Sequence, residues 1–293
     1  MKVQKSSRQT NGTLYLVATP IGNLQDFSPR ACEVLKRVDL IACEDTRNTR
    51  KLLTHFQIST PMISYHEHNE RKQSQSLIKR LQNGESVALV SDAGMPNISD
   101  PGGVMVEEAL CNEIPVVPIP GANAALTALV ASGMPTQPYL FLGFLPRISS
   151  KRKRELEKWR TVTATLLIYE SPHRLIDLLT EMLEIWGDRR IAIVRELTKK
   201  YEEWIRGSIR ECLTYIRTEG TRGEYTLVVE GASEVEQSHW WKTKTLVEHV
   251  HHYIQNGWMK KEAISQVAKD RQLPKREVYQ AYHQDAINDK SEA

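Results

Sequence analysis

Three loops and a few charged residues hold the side chains with which this chain could do chemistry. Ala18-Thr19-Pro20-Ile21-Gly22-Asn23 closes one apolar run, and Pro118-Ile119-Pro120-Gly121-Ala122-Asn123-Ala124 closes another. Between them, a third apolar run ends in Ser91-Asp92-Ala93-Gly94-Met95-Pro96-Asn97-Ile98-Ser99-Asp100-Pro101-Gly102. Glycine and proline permit tight turns in which the backbone approaches a ligand closely. The acidic residues suit cationic or hydroxyl groups, although Asp100 equally fits the cap of a helix begun by Pro101. One such loop reads as ordinary turn chemistry, whereas three on one sheet edge predict a small-molecule cleft. No Gly-x-Gly-x-x-Gly follows the first run and no Gly-Lys-Ser/Thr occurs, which disfavours dinucleotide or ATP binding. Glu44, Asp45, Glu170 and the pair Glu196 and Lys199 could act as a base or stabilise an alkoxide. Each fits a structural ion pair or an RNA-phosphate partner equally well.

The elements that must position these residues alternate between strand and helix, the signature of βαβ units and a largely parallel sheet. Strands are expected over 13–18, 39–43, 62–65, 86–91 and 115–119. Helices are expected over 29–38, 46–56, 70–82, 101–111 and 122–131, the first capped by Ser28 with Pro29 leading. A second cycle follows, with strands over 139–144, 165–169, 190–195, 201–206 and 225–230. Its helices cover 149–159 and 172–186, with one more before the last strand. Leu175, Leu179, Met182 and Trp186 share one helical face. After Gly231 only helical periodicity remains. Ala263, Ile264 and Val267 are set to pack on Val278 and Tyr282 in a helix-turn-helix-like unit. His249, His251 and His252 lack metal-site spacing and read as exposed. The expected organisation is a flexible N-terminus (1–12), two α/β domains (13–133 and 134–235) and a helical extension (236–293), with Gly133 to Pro138 as the boundary.

The 293 residues, 40% of them hydrophobic, suffice for two ordinary cores. The first twelve residues lack the apolar stretch of a signal peptide, and no run nears the roughly 18 residues of a spanning helix. A cytoplasmic protein without membrane association is expected. Cys32, Cys43, Cys111 and Cys212 are scattered, without zinc-ligand spacing, and are expected to be structural thiols. The net charge of +3 demands no particular partner, but its distribution is uneven. Lys151-Arg152-Lys153-Arg154 is a tight basic run, and Lys260, Lys261, Lys269, Arg271, Lys275 and Arg276 cluster near the C-terminus. Such patches are either solvated faces or contacts to RNA phosphates.

The ordered segments LYLVATPIGNL from Leu14, DLIACEDTR from Asp39, SYHEHNE from Ser64 and LVSDAGMPNISDPG from Leu89 resemble one family. So do GFLPR from Gly143, IYESPHRL from Ile168, VRELTK from Val194 and RGEYTLVVEG from Arg222. It is the ribosomal small subunit methyltransferase I family, within the tetrapyrrole-methylase-like (class III) methyltransferases. The resemblance implies two α/β domains with a small C-terminal helical extension, a homodimer, S-adenosylmethionine as donor and no metal. It implies 2′-O-methylation of cytidine 1402 in the 16S ribosomal RNA of the small subunit. By motif position it assigns donor contacts to Pro20 and Gly22, to Asp92, Ala93, Gly94, Met95 and Pro96, and to Gly121, Ala122, Asn123 and Ala124. Phe144, Tyr169, Glu170, Ser171, Gly223, Glu224, Tyr225 and Thr226 are expected to close the site from the second domain. Met95, Ala122 and Asn123 depart from the family's usual threonine, proline and small residue. On this reading Glu196 and Lys199 line the methyl-transfer site. Arg47, Arg50, Lys151, Arg152, Lys153, Arg154, Lys275 and Arg276 meet RNA. The rival readings are a tetrapyrrole methyltransferase and a non-catalytic ribosome-associated RNA-binding protein.

Overall fold

The computed structural model describes residue 4 and residues 12–233, 240–255 and 258–288. Most of the expected flexible N-terminus, and residues 236–239, 256–257 and 289–293 of the expected extension, lie outside the described residues. The first sheet comprises β1 (Leu14–Val17), β2 (Leu40–Cys43), β3 (Met62–Ser64), β4 (Val87–Val90) and β5 (Val116–Ile119). Its order is β3-β2-β4-β1-β5, and every pairing is parallel. The strands are nearly all apolar because both faces are covered. Val34 and Leu35 of α1 (Pro29–Arg37) and Leu53 of α2 (Thr46–His55) pack with Ile41 and Cys43 on one face. Leu77 and Leu81 of α3 (Glu70–Gln82) and Met105 of α4 (Gly103–Cys111) pack with Ala42 and Leu89 on the other. Burial of each such leucine or isoleucine contributes roughly 2 kcal/mol.

The second sheet comprises β6 (Tyr139–Phe144), β7 (Thr165–Glu170), β8 (Arg190–Arg195), β9 (Glu203–Ser208) and β10 (Tyr225–Val229), in the order β6-β7-β10-β8-β9. Here the expectation of a largely parallel sheet fails. Only β6 and β7 run parallel; β10 is antiparallel to β7 and β8, and β9 is antiparallel to β8. Residues 196–202 are too few for a helical crossover, so β9 must return beside β8 in the opposite direction. Alternation divides the sheet's two faces. Leu166, Ile168, Ile191, Ile193, Leu227 and Val229 meet α6 (Ser149–Trp159), α7 (Leu175–Trp186) and α8 (Ile209–Glu219). Leu167, Ala192, Val194 and Val228 meet Ala125, Ala128 and Leu129 of α5 (Ala124–Ala131). The small-residue helix that follows the first sheet is therefore a packing layer of the second.

Three further local expectations need correction. Helix α4 starts at Gly103 with Gly102 as its cap, at φ 148, so Asp100 does not cap it. The Pro101-Gly102 turn lies between them. His249 is fully buried rather than exposed, stacked between Trp241 and Tyr253, and accepts the Arg271 Nε–H at 3.1 Å. Burial depresses its pKa to about 4, keeping an acceptor nitrogen for Arg271. This polar seam runs beside the apolar one formed by Val250 of α9 (Leu246–Gln255), by Ala263, Ile264 and Val267 of α10 (Lys260–Asp270), and by Val278 of α11 (Lys275–Asn288), with Tyr282 against them. Of the four cysteines, Cys43 and Cys212 are buried and Cys32 half-buried, but Cys111, at the end of α4, is exposed.

Candidate functional site

The order β4-β1-β5 makes the three strands with unusual loops immediate neighbours, so their carboxyl ends emerge side by side. The loops are fastened to one another. Thr19 and Gly94 exchange backbone hydrogen bonds of 2.8 and 3.1 Å, and the Thr19 hydroxyl donates to the Ser91 carbonyl at 3.1 Å. Asn97 and Ser99 sit at φ 69 and 65. The left-handed region costs a non-glycine residue roughly 1–3 kcal/mol, so the surroundings must hold this loop in shape. Asn123, one of the departures from the family pattern, caps α5 by accepting from Leu126 N at 3.0 Å.

Opposite these loops stand the carboxyl ends of β6 and β7 and, because it runs antiparallel, the amino end of β10. Tyr169 crosses between the two halves, its hydroxyl accepting the Ala125 N–H at 3.1 Å while its ring packs against Phe141 and Phe144. Between the halves lies a cavity of about 400 Å³, within the range of small-molecule sites. Asp92, Ala93, Gly94, Met95, Asn123, Ala124, Phe144, Tyr169, Glu170, Ser171, Glu224, Tyr225 and Thr226 line it. Pro20 and Gly22 instead line an adjoining hollow of about 230 Å³ that shares Asp92. Pro96, Gly121, Ala122 and Gly223 support the loops without lining the cavity. A side chain at Gly121 would meet Ala18 at 2.7 Å.

Sequence reasoning missed Ile21, Ile98, Ser99, Asp100, Pro172 and Leu197 as cavity residues. All sit within or beside segments already singled out, Leu197 between Glu196 and Lys199 of VRELTK, so a reading by whole segments would have included them. Leu197 arrives through the return between β8 and β9, whose antiparallel direction the sequence did not signal.

Glu196 and Lys199, expected at the methyl-transfer site, stand beside the cavity rather than in its wall. Lys199 Nζ lies 3.0 Å from Glu196 Oε1 and 2.9 Å from Glu224 Oε2, and Glu196 also accepts the Glu224 N–H at 3.0 Å. Burial alone would raise the Glu196 pKa, but Lys199 and the Glu224 N–H outweigh it and hold the carboxyl below its usual range. The arrangement needs glycine on both sides. A Cβ on Gly223, at φ 76, would fall 2.5 Å from Glu196 Oε1, and one on Gly22 would strike the Lys199 stem. The unit is a strut that ties the β8–β9 loop to the turn before β10, with the Lys199 stem packed close to Gly22 of the loop after β1.

The carboxylates of the cavity differ in their surroundings. Glu170 is buried, accepts the Ser171 N–H at 2.7 Å and lies 3.1 Å from Arg174. Burial nonetheless raises its pKa. Asp92 accepts the Asp45 N–H at 3.1 Å and the Asn48 side-chain amide at 2.9 Å. Asp100 is pushed up to about 7, first by burial, then by Glu44 and Asp92, against a lowering hydrogen bond from Ser91. Glu44 is raised as well, by burial and by Asp92.

Of the expected RNA contacts, Arg152 is corrected. It is 3% exposed, and its Nε and Nη2 donate to Glu181 at 2.6 and 2.8 Å. The partly buried Lys153 pairs with Glu184 at 2.6 Å. Lys151, Arg154, Lys275, Arg276, Arg47 and Arg50 are exposed, with Arg47 bonded to Asp45. Among the described residues, no group of three or more histidine, cysteine, aspartate or glutamate side chains could hold a metal ion, and no helix is long and apolar enough to cross a membrane.

The family model for tetrapyrrole (corrin/porphyrin) methylases matches residues 13–213. The chain is 54% identical to the ribosomal RNA small subunit methyltransferase I of Halalkalibacterium halodurans, over 97% of this chain and 100% of that protein. It is 53% identical to the protein of that name from Bacillus subtilis, over 93% of this chain and 94% of that one. Among solved structures, uroporphyrin-III C-methyltransferase of Thermus thermophilus complexed with S-adenosyl homocysteine superposes with a TM-score of 0.52. At 18% identity, covering 74% of this chain and 97% of that one, that likeness shows the fold alone.

Proposed function

The chain belongs to the ribosomal RNA small subunit methyltransferase I family, and we propose that it transfers the methyl group of S-adenosylmethionine to the ribose 2′-hydroxyl of cytidine 1402 in 16S ribosomal RNA. The observation that carries this reading is the cavity itself, whose wall combines motif loops of the first sheet with aromatic and carboxylate residues of the second. Its volume and its largely apolar wall fit an adenosyl group, and its carboxylates fit a cationic one. Loops 91–102 and 121–124 would hold the donor from one side and Phe144, Tyr169 and Glu170 from the other. When bound, S-adenosylmethionine supplies a methyl group activated by a sulfonium. The chain's own residues orient the two reactants and exclude water, and that contributes much of the acceleration in a displacement where charge disappears. Lys199, Glu196 and Glu224 hold the β8–β9 loop to the turn before β10, which sets Leu197 in the wall. The exposed Arg47 and Arg50 on α2, Lys151 and Arg154 on α6, and Lys275 and Arg276 on α11 would meet RNA phosphates. A homodimer acting on the small subunit completes the proposal.

The test is transfer of labelled methyl from S-adenosylmethionine to small subunits lacking the modification, followed by nucleoside analysis. Appearance of 2′-O-methylcytidine at one position is the expected result. Donor binding without transfer to subunits would overturn it and direct the search to tetrapyrrole acceptors. Absence of donor binding would favour a non-catalytic RNA-binding role.

A further inference from the structure

We propose that two hollows beside the donor cavity form the entry path of a single RNA strand, an assignment that rests on the RNA-methyltransferase reading above. The first hollow, of about 230 Å³, shares Asp92 with the donor cavity. A second, of about 590 Å³, shares Gly22 and Leu24 with the first. Three spaces are thereby joined into one path that leads outward from the donor. The acceptor hydroxyl must reach the methyl group, so the first hollow takes the target nucleotide. The outer hollow takes the chain that flanks it.

The charge of the wall changes sign along this path. Carboxylates line the donor cavity, and no lysine or arginine does. Lys199 and Lys200 line the outer hollow with His55, and no carboxylate does. Lys51 stands between them in the first hollow, where Asp92 already accepts the Asp45 N–H and the Asn48 amide. Acid at one end and base at the other suit a sulfonium and a phosphate. Lys199 is committed to Glu196 and Glu224, which leaves Lys51 and Lys200 to meet the strand. Both are exposed, and neither is paired with a carboxylate among the described residues.

Two elements present these groups. Asn48, Lys51, Leu52 and His55 recur at the spacing of one helical face, which α2 turns toward the loop after β1. Lys200 comes from the β8–β9 loop, where Glu196 and Thr198 sit at φ 55 and 68. A β-branched residue there is strained, and the Glu202 carboxylate holds it by accepting the Thr198 N–H at 2.6 Å. Contacts for bases lie beside those for phosphates. Leu24, at the junction of the hollows, is 42% exposed, and Tyr201 is 68% exposed with Lys200 Nζ 5.4 Å from its ring centroid. Unpaired bases stack on such surfaces while neighbouring cations hold the backbone. Asn23 spends its side-chain oxygen on the Gln25 N–H, so its NH₂ group and the Gln25 amide remain for hydrogen bonds to the strand.

Steady-state methylation of unmodified small subunits, between about 50 and 200 mM salt, tests the path. Binding of S-adenosylhomocysteine by calorimetry reports that each variant is folded with its donor cavity intact. Lys200→Gln and Lys51→Gln should each raise KM by about tenfold, leave kcat within about twofold and lower the salt slope by about one unit. Lys79→Gln, on α3 across the first sheet, should change none of these. Leu24→Trp, which fills the junction, should cut kcat/KM by about a hundredfold while S-adenosylhomocysteine binds as to wild type. Unchanged KM and salt slope in both lysine variants, or full activity in Leu24→Trp, would overturn the path while leaving the RNA reading intact. Failure of the wild type to methylate subunits would overturn the RNA reading, and the path with it.

Discussion

The two walls of the cleft hold their carboxylates in opposite ways. On the first-sheet side, Glu44, Asp92 and Asp100 gather with no lysine or arginine paired to them among the described residues, and Asp100 rises to about 7. On the second-sheet side, Glu170 is matched by Arg174, and Glu196 and Glu224 share Lys199. Behind that wall Glu181 is matched by the buried Arg152. Paired carboxylates fix architecture, whereas crowded and unpaired ones cost stability and are retained where a cation or a proton is to be handled. The contrast supports the proposal that the crowded carboxylates of the first wall meet the cationic donor, while the ion pairs of the second hold the architecture.

The largest effect expected from this contrast is in the support. Arg152→Met should lower unfolding free energy by about 3–5 kcal/mol, because Glu181 is left buried and uncompensated. Adding Glu181→Leu should restore most of that in denaturant unfolding; if Arg152→Met is neutral, the pair is not structural. Next, Tyr169→Phe removes the acceptor for the Ala125 N–H that joins the two walls. A loss of about 1–3 kcal/mol is expected in the same measurement, with weaker binding of S-adenosylhomocysteine by calorimetry.

The first wall should respond with the opposite sign. Asp100 is an acid whose folded pKa, about 7, lies above its ordinary 3.8. Folding therefore takes up a proton between those values, so stability falls as pH rises through that window, and the loss is complete above it. Asp100→Asn should consequently unfold at a higher temperature than wild type at pH 8, by on the order of 2–4 °C, with a smaller gap at pH 4. A lower melting temperature at both pH values would place Asp100 with the structural carboxylates. The smallest effect concerns RNA. Arg50→Gln should leave stability unchanged and reduce the salt dependence of subunit binding by about one unit of slope, a change not expected from repairing the Arg152–Glu181 pair with apolar residues.

Legibility followed the same division. The first sheet announced itself because five short apolar strands, each followed by a helix, leave only a parallel arrangement, and parallel strands deliver all their loops to one edge. Helix α1 began at Pro29 behind Ser28 as its sequence indicates, because that cap is satisfied locally, by Ala31 N. The second sheet was legible strand by strand but not in direction. Strand periodicity is the same whichever way a chain runs, so the antiparallel placement of β10, and with it the entry of Tyr225 and Thr226 by an amino end, had no local signature. Arg152 was misread for a related reason. Within Lys151-Arg152-Lys153-Arg154 all four residues look alike, and only the approach of α7 with Glu181 selects one for burial.

The sequence by itself determined where strands and helices form, which loops are rich in glycine, proline and acid, and which family the chain resembles. Those properties follow from short-range sterics, capping and side-chain periodicity. Tertiary structure decided which charges are neutralised and which are left crowded, since a carboxylate's energy depends on neighbours and solvent within a few ångströms, wherever they lie along the chain. It turned Glu196 and Lys199 into a strut and buried His249. It also freed Asp100 from its helix and set it in the wall of the cavity.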